Sequence, residues 1–209
     1  MRRRHVGWIA SAAAAVLVAA GAITYAVAGD TGGPDTATPG AESADAGFAR
    51  DMAVHHQQAV EMSYIVRDRT KNEEVRRLAY DIAQTQANQR GMLLGWLDLW
   101  GLPKVSAEPP MTWMGMRGMA DGKDGALMPG MATNTELKKL GSLSGEQAEI
   151  FYLQLMTDHH KGGVHMAEGC VAKCTVGVEK RLAQGMVEAQ ESEIELMAGM
   201  LKERDAKAR

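Results

Sequence analysis

The stretch "ARDMAVHHQQAVEMSYI", residues 49–65, sets two adjacent histidines inside an apolar pattern, and "LQLMTDHHKGGVHMAEG", residues 153–169, does so again. Four of the chain's six histidines sit in these two pairs. A shift of 104 residues lays Met52, His55, His56, Val60 and Met62 on Met156, His159, His160, Val164 and Met166. The same shift, without a gap, lays Arg77-Leu78-Ala79 on Arg181-Leu182-Ala183 and Gln86 on Gln190. A repeat of this kind means two copies of one supersecondary unit, neither able to bury its apolar face alone.

The unit is a helical hairpin. Met52, His55, Ala59, Met62 and Val66 recur at alternating spacings of three and four, which puts them on one helix face with His56 on its flank. A second helix is predicted from about Asn72 to Trp100, stopped by Gly101-Leu102-Pro103. In the second half, Ser144-Gly145-Glu146-Gln147 reads as a capping box opening a helix to about Lys173, and a last helix spans roughly Val176 to Lys207. The expected fold is therefore all-α, a four-helix bundle with halves at about 45–101 and 145–207. Between them, residues 103–133 form a long loop rich in Gly, Pro and Met, followed by a short helix from the Thr133–Glu136 capping box to Leu140.

The N-terminus carries Arg2-Arg3-Arg4 before an apolar run from Trp8 to Ala28 that ends in Ala26-Val27-Ala28. Residues 1–28 fit both a signal peptide with an A-x-A cleavage pattern and an uncleaved membrane anchor. Either sends the rest of the chain out of the cytoplasm, since the arginines stay inside. Residues 29–44 read as a flexible tether. A net charge of −3 without a basic stripe excludes a nucleic-acid partner, and only residues 1–28 address a membrane. The sequence holds no nucleophile–base arrangement and no phosphate loop.

A buried imidazole needs a partner at each ring nitrogen, so histidine is a poor core filler. Here His55, His56, His159 and His160 come to one depth from two helices, with Met52, Met62, Met156 and Met166 above and below. Imidazole and thioether together suit copper far better than magnesium or calcium. The competing reading is a polar layer that sets the bundle's register. His165, half a helix turn from the apolar face, is expected to point outward; Glu61 is its counterpart. The partner helices offer Gln86 and Gln89 in one half, Gln190 and Glu193 in the other, so the four-carboxylate set of a di-iron bundle is missing and only Glu193 is a candidate ligand.

The loop places Met111, Met114, Met116, Met119, Met128 and Met131 within 21 residues. They read equally as gap-fillers over a hydrophobic groove and as a second, more exposed thioether site for Cu(I), with Trp113 packing on the bundle or shielding the ion. Cys170 and Cys174 have three readings: a disulfide despite the awkward i,i+4 spacing, a thiolate pair for a soft metal, or small apolar residues at a helix end.

The paired M-x-x-H-H helices, Q-x-x-E-I-x-x-M at Gln190–Met197 and MPGM at 128–131 resemble the DUF305 family over about Asp45 to Leu201. The resemblance implies a ferritin-like bundle exported from bacterial cells, with copper binding in some members. It carries over Met52, His55, His56, Met62, Met156, His159, His160 and Met166. The first half departs from the pattern, Gln86-Ala87-Asn88-Gln89-Arg90 standing where Q-x-x-E-I is expected. The functional expectation is an extracytoplasmic copper buffer or transfer protein. The rivals are a ferritin-like metal oxidoreductase using Glu193, and an interaction module whose Met-rich loop grips an envelope partner.

Overall fold

The structure, a computed structural model, describes residues 38–116 and 123–209. Five α-helices carry the fold: α1 (Ala44–Arg69), α2 (Glu73–Leu99), α3 (Asn134–Ser142), α4 (Gly145–Lys173) and α5 (Gly177–Lys202). Local chemistry sets their ends. The Ser43 hydroxyl accepts from Ala46 N, the Asn72 side chain from Glu74 N and Val75 N, and Thr133 and Glu136 cap one another reciprocally. Asp45 opens α1 and Arg67 and Arg69 close it, each facing the favourable end of the helix dipole.

Helices α1 and α2 pack as one hairpin, α4 and α5 as the other, and α1 against α4 joins them into a four-helix bundle. Matching connections, Thr70–Asn72 and Cys174–Val176, lie between the helices of each hairpin. The methionines show that α1 and α4 run antiparallel. Met62 and Met156 share one core cluster with Val75, Ile82 and Tyr152, whereas Met52 and Met166 share the other with Phe48, Leu93 and Leu97. Each fully buried side chain of this size stabilises by roughly 1.5–3 kcal/mol relative to exposure. With so few aromatics, unbranched thioethers fill the core.

The loop is held down at three glycines. A Cβ at Gly47 would fall 2.5 Å from the Trp113 ring, one at Gly169 2.6 Å from Met114 Cε, and one at Gly162 2.0 Å from the Pro129 carbonyl oxygen. Each glycine is where loop meets helix. Gln58 adds a two-way clamp, donating to Ala132 O (2.8 Å) and accepting from Ala132 N (2.7 Å).

Two expectations change, and one open reading is decided. Ser144 makes no capping bond, because the chain enters α4 through Gly145 in the left-handed region, at φ 57°. The last helix ends at Lys202 rather than Lys207. There Asp205 turns left-handed at φ 51° and Ala206 N bonds Leu201 O, a Schellman-like closure. Cys170 and Cys174 form a disulfide with Cα atoms 4.8 Å apart. Cys174 is already extended at the end of α4 (ψ 152°), which frees the pair from regular helical geometry and removes both sulfurs as thiolate ligands. Residues 1–28 and Met119 lie outside the described residues, among which no helix is long and apolar enough to cross a membrane.

Candidate metal centre

His55, His56, His159 and His160 are all fully buried, in a layer between the two apolar clusters. His55 and His159, at equivalent positions of α1 and α4, meet with ring centroids 3.8 Å apart and planes tilted by 34°, and the His159 and His160 centroids are 6.3 Å apart.

Every Nε2 in the layer faces an oxygen. His55 Nε2 lies 3.3 Å from Pro129 O and His159 Nε2 lies 3.0 Å from His55 O. His56 Nε2 lies 2.9 Å from Gln89 Oε1, and His160 Nε2 lies 2.6 Å from Glu193 Oε2. Carbonyl and carboxylate oxygens only accept, so each Nε2 carries the hydrogen and donates it. On a neutral ring Nδ1 is then a bare lone pair. All four Nδ1 atoms are buried, and none has a hydrogen-bond partner. Such a group left unpaired costs about 1–3 kcal/mol.

A proton is a poor answer to these lone pairs. Burial pushes His55 down to about 4 and His56 to about 3, the neighbouring His55 adding to the effect on His56. Burial and the three other imidazoles hold His159 well below the ordinary histidine range. Neutral rings with Nε2–H fixed on carbonyl or carboxylate oxygens are what a metal requires of histidine ligands. The donor set therefore fits a borderline or soft cation bound through Nδ1.

The 104-residue repeat extends to the oxygens. Gln89 and Glu193 are equivalent residues of α2 and α5, serving His56 and His160 alike. Behind them Gln86 leaves both amide atoms unpartnered and Gln190 its Oε1. Gln190 reaches α4 only because position 163 is glycine, where a Cβ would fall 2.3 Å from its Oε1. The four histidines do not converge as one tight cluster, however. Among the described residues, Cys170, Cys174 and Glu179 alone bring three His, Cys, Asp or Glu ligand atoms within 4.8 Å of one another.

The loop methionines divide. Met111 and Met128 are buried in the apolar cluster with Met52 and Met166, and Met131 packs against it partly buried, so the five described methionines do not make one exposed site. Trp113 lies edge-on to Phe48, with centroids 5.8 Å apart, and donates Nε1–H to Asp51 (2.9 Å). Met114 and Met116 also pack partly buried against this cluster, Met114 over the buried Gly169 and Met116 toward His165, which points outward as its spacing implies.

Sequence reasoning missed two features. One is the Pro129–Gly130 turn over the histidines, for which the unusual Gly162-Gly163 pair inside α4 was the signal. The other is Glu179, buried beside Asp45. Asp45 accepts from Thr175 N (2.8 Å) and Val176 N (2.7 Å) at the entrance to α5. Burial, then the Asp45 carboxylate, push Glu179 up to about 9 from 4.5. Its folded value lies above its unfolded one, so its stabilising contribution is complete below about 4.5 and lost as pH rises through about 9. The wild-type thermal midpoint is expected to fall across that window, and that of Glu179→Gln, locked neutral, to stay flatter. Parallel midpoint curves for the two proteins would contradict this.

The Domain of unknown function (DUF305) family matches residues 45–201. The crystal structure of "putative secreted protein DUF305" from Streptomyces coelicolor is 75% identical, covering 81% of this chain and 99% of that one at a TM-score of 0.76. A DUF305 fragment from Deinococcus radiodurans is 31% identical, covering 77% of this chain and 96% of that one at a TM-score of 0.63. CopM in its Cu(II)-bound form shares the fold at 22% identity, 77% and 97% coverage and a TM-score of 0.61. No curated protein matches the chain. Doubled M-x-x-H-H helices, the MPGM turn and the bundle they build thus have one common explanation: the chain belongs to the DUF305 family.

Proposed function

We propose that this protein binds copper as cargo outside the cytoplasm, buffering it or handing it on, and that the buried histidine layer holds the ion. The four partnerless Nδ1 lone pairs carry this reading. They are water-excluded and lie between core clusters that hold the thioethers of Met52, Met62, Met156 and Met166, and burial keeps the His55, His56 and His159 rings neutral. Nitrogen and thioether donors without an oxygen cage favour Cu(I) over hard cations. CopM, a protein of the same fold, has been solved with copper bound. The extracytoplasmic placement draws on the name of the Streptomyces coelicolor protein and on the Cys170–Cys174 disulfide, a bond that persists in oxidising compartments.

Cu(I) competition against a chelator, followed together with the thermal midpoint, tests the reading. Wild type takes up Cu(I) and gains about 2.7 kcal/mol of stability at free copper one hundredfold above Kd. With His55, His56, His159 and His160 all changed to Ala, helicity remains and tight internal uptake is lost. The gentler pair His55→Gln and His159→Gln weakens uptake with less damage to packing. Unchanged uptake in both variants excludes the layer as the site.

A further inference from the structure

His165 belongs to no part of the repeat's histidine pattern, yet it meets the loop methionines. It stands where the first half has Glu61, exposed on α4, and its Nε2 lies 3.4 Å from Sδ of Met116. With zinc's bond lengths of roughly 2.0 Å to nitrogen and 2.3 Å to sulfur as a guide, that spacing subtends about 100° at an ion between them. One turn along α4, Gly169 leaves room for the second thioether: a Cβ there would fall 2.8 Å from Met114 Sδ. Residues four apart share a helix face. Imidazole and both thioethers therefore lie along one face of α4, with Gly169 buried beneath the Met114 thioether.

The loop presents these sulfurs from a pinned turn. Met111, left-handed at φ 67° and fully buried, anchors it, and its N–H and the Trp113 Nε1–H both donate to Asp51 Oδ2, at 2.7 and 2.9 Å. Met114 N and Met116 N both donate to the Met111 carbonyl, at 3.0 and 3.2 Å, across Gly115 at φ 79°. Met111 and Met128 are buried within the core, whereas Met114 and Met116 pack against the same cluster only half-buried, and Met116 does so beside an exposed imidazole.

We propose that His165, Met116 and Met114 form a surface site for a soft monovalent cation. The assignment rests on the copper reading only for the identity of the cargo, Cu(I). One imidazole and two neutral thioethers, with no oxygen donor, exclude calcium and magnesium on their own.

The test uses the full-length chain labelled with [methyl-13C]methionine and titrated with Ag(I), a redox-inert stand-in for Cu(I). The Met114 and Met116 methyl signals are expected to shift below one equivalent. In His165→Gln they need at least roughly tenfold more Ag(I), while the thermal midpoint without silver stays put because the side chain is exposed. Met116→Leu, close in volume, produces the same loss at Met114. An unchanged Met114 and Met116 response in His165→Gln overturns the site. Shifts at Met52, Met62, Met156 and Met166 alone overturn it too and leave the internal reading standing. Shifts at the loop methyls alone support the surface site and overturn the internal one.

Discussion

Gly162→Ala is expected to unseat the loop from the histidine layer and to lower both stability and copper uptake. The added Cβ would stand 2.0 Å from Pro129 O and 2.6 Å from Pro129 C, both backbone atoms that no rotamer change can move. The turn is held from the other side as well, since Gly130 lies against the Asp158 carbonyl and Ala132 is clamped by Gln58. Overpacking of this kind costs about 1–3 kcal/mol. Losing the acceptor for His55 Nε2–H adds about 1–3 kcal/mol. At about 2–4 °C per kcal/mol for a chain of this size, the thermal midpoint should drop by roughly 5–15 °C. Uptake weakens because nothing then holds His55 with Nδ1 bare. Gly91→Ala is the control. It sits on α2 with nothing within 4 Å, and alanine there should be neutral or stabilise by up to about 1 kcal/mol. Equal midpoints for the two variants would refute the docking account.

Acid should destabilise the copper-free protein well above the carboxylate range. His55 and His56 titrate in the fold near 4 and 3 against 6.5 when unfolded, and His159 is depressed too. Between those limits the unfolded chain binds more protons, so stability is complete above about pH 6.5 and lost as pH falls toward 4. The loss amounts to several kcal/mol and should appear as a falling midpoint. Changing His55 and His159 to Gln flattens the curve over this window, because amides do not titrate. A saturating cation on Nδ1 holds the wild-type midpoint up to lower pH, since proton and metal compete for the same lone pair. An acid limb that begins only near pH 4 in wild type, and survives in the double Gln variant, would assign the loss to carboxylates instead.

How far the sequence was legible follows from the range over which each contact acts. The two hairpins and the common depth of His55 and His159 follow from the 104-residue offset, because periodicity and repeat both act along one helix. What holds those rings is non-local. Pro129 O reaches His55 across 74 residues, and His55 O reaches His159 across 104. Spacing alone specifies neither carbonyl. The Met-rich loop shows the same limit. Its composition predicts soft, mobile side chains, yet the left-handed Met111 and the Asp51 anchor decide that Met111 turns inward while Met114 and Met116 reach α4. The glycine pair at 162 and 163 was the readable clue that went unread. Two mid-helix glycines cost about 1 kcal/mol each against alanine, which asks for a compensating close approach. Glu179 left no such clue, since its burial depends on Asp45, which the fold alone brings beside it.

Copper binding through the buried Nδ1 lone pairs is the proposal on which these expectations rest. Nitrogen-15 NMR of the imidazole rings, recorded on the copper-free chain and again with one equivalent of Cu(I), tests it most directly. Expected before copper are unprotonated Nδ1 and protonated Nε2 on His55, His56 and His159, then a shift of Nδ1 on at least one ring from each pair with Nε2–H retained. Protonated Nδ1 atoms in the copper-free protein, or four rings left untouched by a bound equivalent of Cu(I), would contradict it and leave the layer a polar register device.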